Sequence, residues 1–202
     1  MKQLCLVSLV YVLLLSCSAG KDPRREQARQ LQRGVLTEDT SWVYRLPYAE
    51  GSSHLVLQGY FSRFSHRNRA ALDFKMKRGT PVLAARGGVV IRLQEQNDKG
   101  GWNRKFRQFA NYIVIAHSDS TNAGYWHLRK NGAVVNLGDT VKAGQLIGYS
   151  GNTGYTTTPH LHFMVWKRRG NNWTQVPTRF MTNKGAAYLR PLRWYRNGKK
   201  PG

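Results

Sequence analysis

Apolar and polar positions alternate over short runs along most of this chain, and turn residues separate the runs. Residues 54–58 (His-Leu-Val-Leu-Gln), 80–84 and 88–93 read as strands. Residues 112–116 do so most clearly, with Ile113 and Ile115 on one side and Val114 on the other. Arg78-Gly79, Asn131-Gly132, Gly138-Asp139, Ala143-Gly144 and Gly151-Asn152 supply the turns. Many short strands at close spacing predict an all-β fold, a small antiparallel sheet domain built as a sandwich or partly open barrel. Residues 94–108 lack the pattern and predict a mobile hydrophilic loop between two strands. In residues 160–166 the alternation places His160 and His162 on one face, and Leu161, Phe163 and Val165 on the core face. The same period over residues 125–128 points Trp126 and Leu128 inward and leaves Tyr125 and His127 on the polar face.

The two ends follow other rules. Lys2, an uncharged apolar run from Leu4 to Leu15, and small residues at Ser16, Ser18, Ala19 and Gly20 have the anatomy of an export signal. The run is too short to span a bilayer, which takes about 20 apolar residues. Leu14-Leu15-Ser16-Cys17 is similar to a lipobox, so residues 1–17 read as a lipoprotein-type signal with a lipid on Cys17. Ordinary cleavage after Ala19 is the alternative. Ser18 after the cysteine suits an outer-membrane destination in a Gram-negative cell. Residues 18–40 are polar and charge-mixed and read as a tether. Residues 41–170 form the domain, and residues 171–202 a basic, aromatic-dotted extension. Cys5 and Cys17 are the only cysteines and both fall in the signal, so the domain is held by its core and not by disulfides.

Charge narrows the partner. Among 202 residues, 32 Lys and Arg face 10 Asp and Glu, a net charge of +22. Such a field calls for an anionic surface. An acidic membrane and an anionic envelope polymer both fit, and for an exported chain nucleic acid does not. The chain is expected in the cell envelope, in the periplasm or as an outer-membrane lipoprotein.

With so few acids, Asp73 stands out. It lies between Leu72 and Phe74 in a strand-like run, where a carboxylate needs a partner. Two histidine nitrogens and one Asp oxygen are a common way to hold zinc with a position left open for water, and the absence of cysteine argues against a closed structural site. The helical His-Glu-x-x-His pattern is missing, so any such site differs in architecture from the helix-based zinc proteases, with spare histidines as the candidate bases.

Four blocks in order carry a resemblance. They are Ser65-His66 to Asp73-Phe74 running into Gly79-Thr80-Pro81-Val82; Asn111-Tyr112-Ile113-Val114-Ile115-Ala116-His117; Tyr125-Trp126-His127-Leu128; and Val141-Lys142-Ala143-Gly144-Gln145 to Gly154, then Pro159-His160-Leu161-His162-Phe163. This segment resembles the lysostaphin/LytM-type zinc metalloendopeptidases, which cut peptidoglycan peptides. The resemblance implies a zinc groove floored by a sheet, with His66, Asp73 and His162 as ligands to Zn2+ and His127 and His160 as the catalytic pair. Residues 41–170 then become a metallopeptidase domain that hydrolyses peptide cross-links. Asn111 and Tyr125 would help to line the groove, and His117 would be structural. One departure concerns spacing. Many members have His-x-x-x-Asp, but here that first position is Arg69 and His66 lies seven residues ahead of Asp73. His54 is the competing first ligand. A catalytically weak or inactive cell-wall-binding regulator of other hydrolases is the alternative function.

Overall fold

Strands in which polar and apolar residues alternate lie side by side in one sheet, and their registers bring all the polar members to one face. The computed structural model describes residues 22–36 and 42–198; the expected signal segment and Cys17 lie outside the described residues. The strand order is Thr140–Val141, Gly88–Gln94, Tyr112–Ala116, Thr121–Trp126, His160–Arg169, Ala71–Lys75, Ser53–Gln58 and Trp194–Arg196, and Asn172–Gln175 pairs with the far end of His160–Arg169. All of these pairings are antiparallel, as the sequence pattern predicts.

On the core face, Leu161 pairs with Phe74, Phe163 with Leu72 and Tyr125, and Ile113 with Tyr125, and each of these residues is essentially inaccessible. Edge-on rings bind this face together, with Tyr125 and Phe163 at 5.2 Å and Phe163 and Phe180 at 5.5 Å between centroids. A second, three-stranded sheet, Pro81–Leu83, Leu146–Ser150 and Leu128–Ala133, adds Val82, Ile147 and Leu128 to the same core.

Three regions differ from the sequence expectations. Inside the stretch read as a tether, Pro23–Arg33 is an α-helix, capped by the Asp22 side chain and ended by Gly34 in the left-handed region at φ 72°. Its Ala28 and Leu31 are buried, and Arg25 Nε donates to Phe61 O at 2.6 Å and Gln32 Nε2 to Leu189 O at 2.7 Å.

The stretch read as a C-terminal extension is woven into the fold. Arg179–Thr182 pairs in parallel with Val43–Arg45 and antiparallel with Gly185–Tyr188, and it carries Phe180 into the centre of the core. Trp194–Arg196 adds a strand beside Ser53–Gln58.

Residues 94–108 are not a loose loop. Gly100–Gly101 forms a short parallel pair with Gly154–Tyr155, a 3₁₀ turn follows at Arg104–Phe109, and Asn111 ties in Asn97 through both ends of its amide at 3.0 and 2.7 Å. A Cβ at Gly100 would stand 1.9 Å from Asn152 O, so the close backbone approach requires glycine.

Candidate metal centre and its groove

The polar face of the sheet is organised as one row across five strands. Gln58 pairs with Asp73, Asp73 with His162, His162 with Trp126, and Trp126 with Tyr112. His160 lies two residues along its strand from His162 on the same face, as the alternation requires. These residues floor a groove of about 690 Å³, walled by residues 64–69 on one side and by Trp102, Arg107 and Gln108 on the other.

His66, Asp73 and His162 come together here with their ligand atoms within 4.8 Å of one another, all three buried. Asp73 Oδ1 is the focus, 2.8 Å from His162 Nδ1, 3.2 Å from His66 Nε2 and 3.7 Å from His160 Nε2. His66 arrives from a loop and not from a strand. Its Nδ1 faces Gly59 O at 3.2 Å, which leaves Nε2 for the centre. His54 lies elsewhere, with its ring on Tyr48 and its Nδ1 donating to Lys75 O at 2.7 Å.

His127 and His160 stand beside this cluster with ring centroids 4.6 Å apart. Both rings are oriented from behind. Nδ1 of His127 donates to Thr153 O at 2.7 Å and Nδ1 of His160 to Thr158 O at 2.7 Å, so Nε2 of each faces the groove. His127 reaches this position through a backbone φ of 67°, in the left-handed region. That one residue breaks the strand period. Trp126 and His127 therefore share the groove side, whereas Tyr125 points into the core and donates its hydroxyl to no groove group. Instead the Tyr125 hydroxyl oxygen accepts from Ala85 N at 2.8 Å. The expectations for Tyr125 and Trp126 are thus reversed. Asn111, fully buried under residues 94–108, does not line the groove either. His117 is remote, bonded through Nδ1 to Gly87 O.

Gln58 is a residue that strand alternation alone does not single out. Its Nε2 donates to Asp73 Oδ2 and to Ser65 Oγ, both at 2.8 Å. Its Oε1 accepts from Ser62 Oγ at 3.0 Å and from Ser65 N at 3.1 Å. All four hydrogen-bonding positions of the amide are filled, and they fasten the loop bearing His66 to the strand bearing Asp73. The Ser65-His66 dipeptide was the available signal, because a loop serine beside a ligand needs an anchor.

Electrostatics complete the arrangement. Burial pushes His127 down to about 3, helped by the neighbouring His160 and His162, and burial pushes His162 down to about 4 against the pull of Asp73. Both rings are neutral at pH 7. Burial acts to raise Asp73, but His160 and the hydrogen bonds from His162 and His66 outweigh it and hold the carboxyl well below the usual range. A buried carboxylate beside the neutral imidazoles of His127 and His162 makes a site of N and O donors that carries a negative charge of its own. Those are the donors and the charge that a zinc ion requires.

The sequence pattern described as Peptidase family M23 matches residues 67–176. The chain belongs to peptidase family M23. This zinc-dependent family is one for which the His66–Asp73–His162 cluster is a fitting metal centre, and the matched span opens one residue after His66. Among relatives, the chain is 34% identical over 148 residues to glycyl-glycine endopeptidase ALE-1 of Staphylococcus capitis, covering 72% of this chain and 36% of that protein. It is 41% identical over 91 residues to peptidoglycan DD-endopeptidase ShyA of Vibrio cholerae, covering 45% of this chain and 18% of that one. The M23 chain thus spans about a third or less of these relatives' lengths. Among solved structures, the catalytic domain of lysostaphin from Staphylococcus simulans aligns with a TM-score of 0.44 at 31% identity, over 61% of this chain and 87% of that one.

Proposed function

We propose that the protein is a zinc-dependent endopeptidase that hydrolyses peptide cross-links of bacterial peptidoglycan. The observation that carries this reading is the convergence of His66 Nε2, Asp73 Oδ1 and His162 Nδ1 on one point in the floor of an open groove, with two further imidazoles presenting Nε2 beside it. Family membership and relatives named as peptidoglycan and glycyl-glycine endopeptidases support it.

His66, Asp73 and His162 would hold the zinc ion, which would supply Lewis-acid polarisation of a scissile carbonyl and acidify water, to a pKa of about 7 in such sites. The chain's own groups do the rest. His127 is neutral at pH 7 with its proton on Nδ1, so its bare Nε2 can take a proton from the attacking water and, once protonated, hold the developing oxyanion by donating that proton. His160 offers a second Nε2, 3.7 Å from Asp73 Oδ1, for the complementary role. The two backbone carbonyls behind these rings fix both tautomers, so neither side chain has to reorient during the reaction.

An extracytoplasmic site of action follows from the substrate. Export by the signal at residues 1–17, or 1–19, and a lipid on Cys17 are part of the same reading, as is adhesion to anionic envelope polymers through the +22 charge. Among the described residues no helix is long and apolar enough to cross a membrane.

Purified sacculi test the proposal. The wild-type chain is expected to release soluble fragments with new peptide ends, in a chelator-sensitive way, with mass spectrometry identifying the bond. Asp73→Ala should lose zinc, and His160→Ala should keep zinc and lose turnover. Intact sacculi with zinc-loaded wild type would refute the function. Equal zinc loss in both variants would refute the division of roles.

A further inference from the structure

Two guanidinium groups face the groove without a part in the chemistry above. Arg69 lies half-buried on the loop wall, and Arg107 comes from the 3₁₀ turn on the opposite wall, 6.0 Å from the centroid of the Tyr155 ring. Among the described residues, no carboxylate lies within ion-pair distance of either one. Among the described residues Asp73 is the sole acid lining the groove. Its Oδ1 is engaged by the histidine cluster and its Oδ2 by Gln58.

The arginines also sense each other. Burial and the nearby charge of Arg107 both press Arg69 below the ordinary guanidinium value, and the Asp73 carboxylate offsets only part of this. Two like charges turned into a concavity with no carboxylate at ion-pair distance are unfavourable until an anion sits between them. Arginine's planar fork suits a carboxylate in particular. Beside the pair stand Phe64 and Trp102, 77% and 80% exposed, which give the same walls flat apolar surfaces for a peptide to lie against.

We propose that Arg69 and Arg107 form a carboxylate subsite that selects peptides bearing a free carboxylate next to the scissile amide. This rests on the endopeptidase reading and specifies its substrate. A direct cross-link made through an amine whose own carbon keeps a free carboxylate fits the subsite. The interior of an oligoglycine bridge, which carries no charge, does not.

The test uses a matched pair of branched peptides that differ only in whether that carboxylate is free or a primary amide. Binding is measured by calorimetry on the full-length His160→Ala chain, and turnover on the zinc-loaded wild type. The free acid is expected to bind about tenfold tighter than the amide, the scale of one charge-assisted contact, and the advantage should shrink with added salt. Arg69→Gln and Arg107→Gln should each reduce the acid-to-amide ratio towards one in both binding and kcat/KM, with zinc content retained. Equal binding of acid and amide would overturn the subsite whether or not either peptide is cut. Tighter binding of the acid without hydrolysis of either peptide or of sacculi would leave the subsite standing and overturn the endopeptidase function.

Discussion

Replacing Gln58 by leucine removes a fully satisfied amide and keeps the side-chain volume close to the original. The hydrogen bond to Asp73 Oδ2 is to a buried carboxylate, and the three to Ser62 and Ser65 are neutral. Bonds to a charged group contribute about 1.5–3 kcal/mol and neutral ones about 0.5–1.5 kcal/mol each. Gln58 is only half-buried, so water replaces part of what is lost, and the metal-free protein should lose about 2–4 kcal/mol of stability. The larger consequence falls on the metal. With the clamp gone, the loop carrying His66 and the Asp73 carboxylate are no longer held in register, and zinc affinity should fall about 10–100-fold. Competition against a chromogenic chelator measures the affinity, and denaturant unfolding of the stripped protein measures the stability. Gln58→Glu is the sharper control. It keeps both acceptor roles towards Ser62 Oγ and Ser65 N but sets a second carboxylate oxygen against Asp73 Oδ2, so the metal-free protein should be destabilised at pH 7 despite the conserved shape. Zinc affinity for Gln58→Leu within threefold of wild type would refute the clamp.

Two further outcomes follow from the groove and from a buried histidine. A Cβ at Gly124 would meet the Trp126 indole at 2.1 Å, so Gly124→Ala should displace the ring that lies 5.5 Å from His162 and cost about 1–3 kcal/mol; calorimetry should show Trp126→Phe partly restoring stability in the double variant, and additive losses would argue against a direct clash. His117 is pushed below the ordinary imidazole value by burial, and its buried Nε2 has no hydrogen-bond partner, so a proton there has nothing to bond. The unfolded chain therefore takes up that proton first as pH falls below about 6.5, and stability present at pH 7 is lost towards pH 5 at up to about 1.4 kcal/mol per pH unit. His117→Asn, which keeps a donor for Gly87 O, should flatten that slope in a Tm-against-pH series, and an unchanged slope would remove His117 from the account.

The parts of this fold legible in the sequence are those governed by period two. His160 and His162 on one face, Leu161, Phe163 and Val165 on the other, and the run Tyr112–Ala116 all stand in the structure as the alternation places them. The helix Pro23–Arg33 also left signs, an Asp-Pro start and a Gly stop, but its buried side amounts to Ala28 and Leu31, too little to make an apolar stripe. Residues 94–108 are ordered by backbone pairing at two glycines and by one buried amide, neither of which has a hydrophobic period. The C-terminal strands run only three or four residues each, below the length at which alternation becomes a pattern.

The centre itself shows why a site can be read from sequence while its walls cannot. His160 and His162 share a face by alternation, and the resemblance implies that Asp73 joins them; the strand register that brings the three together appears only in the fold. His127 and His66 reach the same point by irregular backbone. One uses a left-handed φ that turns Trp126 and His127 to the same side, and the other a loop three residues longer than the usual spacing requires. Such detours persist only where something holds them. For His127 it is Thr153 O behind the ring, and for His66 it is Gly59 O together with the Gln58 amide that anchors Ser65. The extra length ahead of Asp73 is therefore compatible with a preformed centre because Gln58 spans it. The lengthened stretch also carries Arg69, at the position where the usual spacing has its histidine, to the groove wall, so the departure in spacing sets a cation beside the cluster.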